Sequence, residues 1–163
     1  VSYAQGTTVP VEKTLEEIRR LLKRYNCEGF GQIEQGGRMA IQFILDGLQY
    51  RFVVDEPLLE EWQEAYYQDR YANTSLSSTA IRNRMARMDW QKEIDAEVRR
   101  RWRARLLWLK ATLEFAESDG RDVIRQALLS QLVLPGGGTM DDWAAKALPE
   151  AYQRGGMPPL LPG

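Results

Sequence analysis

Histidine is absent from the 163 residues. That absence removes Ser–His–Asp and Cys–His nucleophilic chemistry, the zinc deaminase and metalloprotease motifs, and histidine pH switches together. Cysteine occurs once, at Cys27, so neither an internal disulfide nor a cysteine-rich zinc site is expected. Apolar runs are short. The longest, such as residues 39–45, fall far below the roughly 20 residues of a membrane span. Residues 1–9 are polar and do not read as a signal peptide. Net charge is −1, from 22 basic and 23 acidic residues, so no global basic excess announces a nucleic-acid binder.

What is present is ordinary for a globular chain: 44% hydrophobic and 28% charged residues, in a length that suits one domain. Thr14-Leu15-Glu16-Glu17 has the form of a capping box. Leu15, Ile18, Leu21, Leu22 and Tyr25 follow at helical spacing, and Asn26 suits a left-handed cap. Three strand signals come next. Residues 28–34 end at Gly36-Gly37, residues 39–45 alternate apolar and mixed positions up to Asp46-Gly47, and residues 48–54 alternate again. Helix followed by an antiparallel three-stranded meander is the expectation for residues 10–56.

From Pro57 the pattern turns helical. Residues 58–71 form one acidic, tyrosine-rich segment, and residues 73–79 form a polar break that reads as a mobile loop. A long helix is expected from Ala80 or Arg84 to about Glu117. Val98, Leu106, Leu109, Leu113 and Ala116 lie within about 40 degrees of Trp102 at 3.6 residues per turn, which marks a core face. Residues 122–132 make a further helix, 135–138 a turn, and Thr139-Met140-Asp141-Asp142 opens a last helix through Gln153. The tail, residues 156–163, carries three prolines and reads as extended. The fold class is α+β in a single domain, residues 1–163, whose helical portion spans 57–155.

Charge is placed unevenly. Residues 55–69 hold six acids and no base, whereas residues 82–105 hold nine bases against four acids. Arginine outnumbers lysine 17 to 5, which favours planar bidentate contacts to phosphates or carboxylates. On the helical wheel Arg99 and Arg103 flank one side of the apolar stripe, and Arg101 and Arg105 the other, near Trp108. A phosphate backbone following such a flank, with a base stacked on an aromatic ring, makes Arg99, Arg101, Arg103, Arg105 and Trp108 the candidate nucleic-acid contacts. The competing reading is structural: the acidic segment lies against the basic helix and neutralises it, while arginine stems cover the apolar stripe. A third reading starts from Trp62, Tyr66 and Tyr67 with Glu60 and Glu64, since aromatics beside acids suit a protein partner better than a phosphate backbone.

Helix followed by meander also raises a nuclease, whose chemistry needs metal-binding acids and an acid-x-Lys on the next strand. Acids occur at strand ends (Glu34, Asp46, Asp55, Glu56), but no lysine lies in the sheet, and Arg51 stays charged where a lysine would handle a proton. Gly29-Phe30-Gly31 and Pro135-Gly136-Gly137-Gly138-Thr139 lack the P-loop and dinucleotide spacings. Ser75, Ser77 and Ser78 have no base to activate them. Cys27, just after a helix C-terminus, reads as a structural thiol. No catalytic residue, metal site or cofactor is expected.

The string Thr7-Thr8-Val9-Pro10-Val11-Glu12-Lys13-Thr14, running into Gly29-Phe30-Gly31, resembles the start of small uncharacterised proteins of phages and prophages. Three later segments carry the same likeness: residues 101–107, 133–136 and 156–162. Residues 55–90 fall outside it. The resemblance implies a phage setting in the cytoplasm of a bacterial host and transfers no activity or site residue. Taken together, the sequence points to a small non-enzymatic accessory protein that binds DNA or RNA through the arginine-rich helix. The alternative is an inhibitor or regulator of a host complex, acting through residues 55–71. No membrane association is expected, and the oligomeric state is left open.

Overall fold

Pro10, with its fixed φ of −57°, sits at the N-cap of the first helix, α1 (Val11–Arg24). This places the helix start ahead of the expected box at Thr14. Thr14 is instead inside the helix and buried, its hydroxyl turned back to the Pro10 carbonyl at 3.4 Å. The reason is packing: Val11 lies one turn before Leu15 and extends the same apolar stripe onto the core. The computed structural model describes residues 6–155, so the expected tail and residues 1–5 of the polar N-terminal stretch lie outside the described residues.

Asn26 takes φ 61° and turns the chain into β1 (Gly29–Gln35), β2 (Arg38–Leu45) and β3 (Leu48–Asp55), paired antiparallel in that order. Both hairpins use two residues of positive φ, Gly36-Gly37 and Asp46-Gly47, matching the twist of the strands they join. The register puts Phe43 opposite Tyr50 and Ile41 opposite Phe52, so their side chains share one face. That face is closed by α1 and by the long helix α4 (Trp90–Asp119), in a core that includes Ile18, Leu22, Trp102, Leu109 and Leu113. The stripe expected on the long helix is the one buried, except that Val98 is half-buried at its edge.

The expected single long helix is two. A short helix, α3 (Ser78–Ala86), ends at Arg87, and Asp89 caps a new start by accepting the Lys92 amide at 3.2 Å. Before it lies α2 (Leu59–Tyr71). Ile81 and Ile94 are buried here but stand outside the main core cluster, so α2, α3 and the first turns of α4 form a side lobe with its own small apolar centre. After α4 come α5 (Asp122–Ala127) and a 3-10 turn (Leu129–Gln131), dividing the helix expected over 122–132. Residues 132–133 then pair with β3, with the Val133 amide on the Gln49 carbonyl at 2.8 Å. The last helix, α6 (Met140–Gln153), starts where the sequence places it, and Thr139 and Asp142 close a reciprocal capping box there. Among the described residues no helix is long and apolar enough to cross a membrane.

Candidate interaction surface

The fate of the two charge blocks decides what the surface can do. In α4 Arg100, Arg101 and Arg103 find ion-pair partners inside the fold. Glu97 is buried and accepts from Arg100 at 2.6 and 2.5 Å and from Arg101 at 2.8 Å. Burial by itself pushes the Glu97 carboxyl up, but the hydrogen bonds and charges of Arg100 and Arg101 outweigh it and hold the pKa below the ordinary value. Arg101 reaches on to the Asp55 carbonyl at 3.0 Å, tying the long helix to the end of β3. Arg103 donates to Glu17 of α1 at 2.6 Å. The Arg105 guanidinium lies 5.8 Å from the Trp108 ring centre, and Trp108 stacks on Phe52 at 5.4 Å. Arg99 is half-buried on the wall of a cavity, with its Nε lacking a partner among the described residues.

The five side chains read as nucleic-acid contacts are therefore not one open stripe. Two are ion-paired within the chain, and Trp108 already has one ring face on the core. The bases of the same block that stay exposed with no ion pair to a described residue include Arg82, Arg84 and Arg87, around α3. The sequence put them inside the basic block but gave no way to separate them from the paired ones.

The acidic block is arranged the opposite way. Glu60, Glu61 and Glu64 on α2 are exposed, with no ion pair to a described residue, and α2 buries no residue fully. The two blocks do not neutralise each other; the α4 arginines use Glu97 and Glu17 instead. The aromatic group of α2 is half-buried. Tyr66 meets Trp90 edge-on at 5.5 Å, and Tyr71 lies 6.3 Å from both Tyr66 and Tyr67, so neither aromatic face of α2 is left wholly open. A groove of about 420 Å³ remains between Tyr67 on α2 and Ile81, Met85 and Trp90.

A larger cleft, of about 830 Å³, opens where the Gly36-Gly37 turn, the β3–α2 junction and the first turns of α4 meet. Pro57, Leu58, Trp62 and Ile94 give it apolar walls, and the Trp62 indole N–H lacks a partner among the described residues. A second cavity of about 350 Å³ adjoins it, and Gly37, Arg38, Glu56 and Gln91 line both. The sequence did not single out this site. It assembles from segments far apart in the chain, and the sequence marked only single members of it, the strand-end acids, Trp62, Arg99 and Arg101, with nothing to join them.

The strand-end acids weighed for metal chemistry are partly engaged. Asp46 pairs with Arg121 at 2.6 Å and Asp55 with Arg38 at 2.5 Å. Among the described residues no group of three or more potential metal ligands comes together. The Cys27 thiol points to the Gly29 carbonyl at 2.9 Å and packs on the core, as expected of a structural thiol. Comparison with protein-family models, with curated proteins and with solved structures found no match.

Proposed function

We propose that the chain is a non-enzymatic protein-binding module that acts through its side lobe, with Glu60, Glu64, Trp62, Tyr66 and Tyr67 of α2 at the contact. The observation that carries this reading is the unequal fate of the charge blocks. Glu60, Glu61 and Glu64 of α2 are exposed with no ion pair to a described residue, whereas Arg101 and Arg103 are held in ion pairs inside the fold. Half-buried aromatics rimmed by free charge are the usual composition of an interaction hot spot. On the phage resemblance, the partner is a host complex in the bacterial cytoplasm. The test is the double reversal Glu60→Lys/Glu64→Lys, on residues that support no contact in the core. A partner recovered by cross-linking and re-bound in purified form should lose at least about tenfold in affinity, since rim charges govern encounter and like charges repel. Equal binding by both proteins would refute the reading.

A second reading keeps nucleic acid as the ligand and moves the contact to Arg82, Arg84 and Arg87, which are exposed and without ion pairs to described residues. A mobility shift that weakens steeply with salt, and that disappears when these three are changed to glutamine, would favour it over the first.

A further inference from the structure

The two joined cavities at the strand ends are out of charge balance. Six acidic residues and three arginines line them. Arg38 pairs with Asp55, and Arg101 with Glu97. Glu12, Glu34, Glu56, Glu61 and Asp95 have no ion pair among the described residues, against the guanidinium of Arg99 alone. At the seam, the side-chain amide of Gln91 donates to both Glu56, at 3.2 Å, and Asp95, at 2.9 Å. One neutral donor thus holds two like charges side by side, an arrangement that a cation would relieve. Beneath this acidic rim the wall is apolar, and Leu58 and Leu59 at its mouth are 66% and 47% exposed.

We infer that this cleft seats a basic segment of a protein partner, with an arginine laid along Trp62 and Leu58 and its guanidinium between Glu56 and Glu61. Arginine and lysine are the side chains that combine a long apolar stem with a cationic head. A guanidinium also bridges two carboxylates in one plane and stacks on an indole face, which an ammonium does less well. The volume falls within the roughly 300–1,000 Å³ of sites that enclose a compact ligand. A nucleic acid would bring phosphates against the same carboxylates. This inference rests on the protein-binding reading and adds the chemistry of the partner.

The experiment uses the full chain and three labelled nonapeptides: one arginine-rich, one with citrulline at the arginine positions, and one with glutamate there. Fluorescence anisotropy should show the arginine peptide bound at least about tenfold more tightly than its neutral citrulline isostere, with affinity falling as salt rises. Glu56→Gln/Glu61→Gln should lose about that factor, while Asp141→Asn/Glu150→Gln, the same charge change on α6, should stay within about twofold. Equal loss in both double variants, or no preference for arginine over citrulline, would overturn the inference. If the arginine peptide shows no preference while a purified partner is still lost with Glu60→Lys/Glu64→Lys, the cleft inference falls and the lobe reading stands. If a DNA oligonucleotide displaces the peptide and binds more tightly, both fall.

Discussion

Changing Glu97 to glutamine removes one charge and almost no volume, and it isolates the network that fixes the long helix to the sheet. The wild-type carboxylate accepts three charge-assisted hydrogen bonds from Arg100 and Arg101. A glutamine has one accepting oxygen and turns an N–H₂ toward a guanidinium. Breaking a fully buried ion pair costs about 3–5 kcal/mol. Here both arginine side chains are 37% exposed, so water takes over part of their solvation, and the expected loss is nearer 2 kcal/mol. In a domain of this size that lowers the melting temperature by roughly 4–8 °C. The pH dependence gives a second check. Because the folded-state pKa of Glu97 is depressed, its contribution is complete above the unfolded value of about 4.3 and is lost as pH falls through the folded value. Urea titrations followed by circular dichroism should therefore show a gap between wild type and variant that is full at neutral pH and closes only as pH falls below the ordinary carboxylate range. A gap below about 0.5 kcal/mol at pH 7, the ordinary scatter of surface substitutions, or one unchanged on acidification, would refute this account of the network.

Other perturbations separate local from global effects. Asp46 combines a φ of 52° with an ion pair to Arg121, so Asp46→Asn, which tolerates that backbone, should cost about 0.5 kcal/mol and Asp46→Ala about 1.5–2 kcal/mol in the same titrations. Thr139→Ala should weaken the α6 cap by about 1 kcal/mol, visible as faster amide exchange across α6. The backbone and side-chain hydrogen bonds from Thr139 hold the Asp142 carboxyl below its usual value. The wild-type protection of α6 by this box should therefore be present at neutral pH and vanish only as pH falls through that lowered value. Leu109→Ala, at a fully buried core position, should cost about 2–5 kcal/mol in global unfolding. Ile81→Ala should chiefly raise exchange in α2 and α3, because Ile81 is buried outside the main core.

Where short-range chemistry decides structure, the sequence was readable. Asp46-Gly47, Gly36-Gly37 and Asn26 turn the chain, and Thr139 opens α6, where the sequence places them, because each signal acts within four residues. Trp102, Leu106, Leu109 and Leu113 were legible as a core face because helical spacing alone brings them together. Two of the differences in helix boundaries come from signals in competition. Thr14 resembles a helix start, but the stripe continues back to Val11 and Pro10 begins the helix sooner. Asp89 resembles any exposed acid until its side chain is seen capping Lys92, and that cap is what separates α3 from α4. The candidate site was less readable, for a different reason. Arg103 meets Glu17 across 86 residues and Arg121 meets Asp46 across 75, so which arginines remain unpaired depends on contacts that no local pattern encodes.

The break at residues 87–89 leaves the lobe resting on a frame whose stability lies elsewhere. Ile81 and Ile94 sit apart from the cluster that joins α1, the sheet and Trp102, so replacing side chains on α2 and α3 disturbs few of the contacts that hold that cluster together. A lobe isolated in this way tolerates surface substitution at little cost to the fold. New shapes and charges can be placed there while the sheet and its covering helices stay as they are.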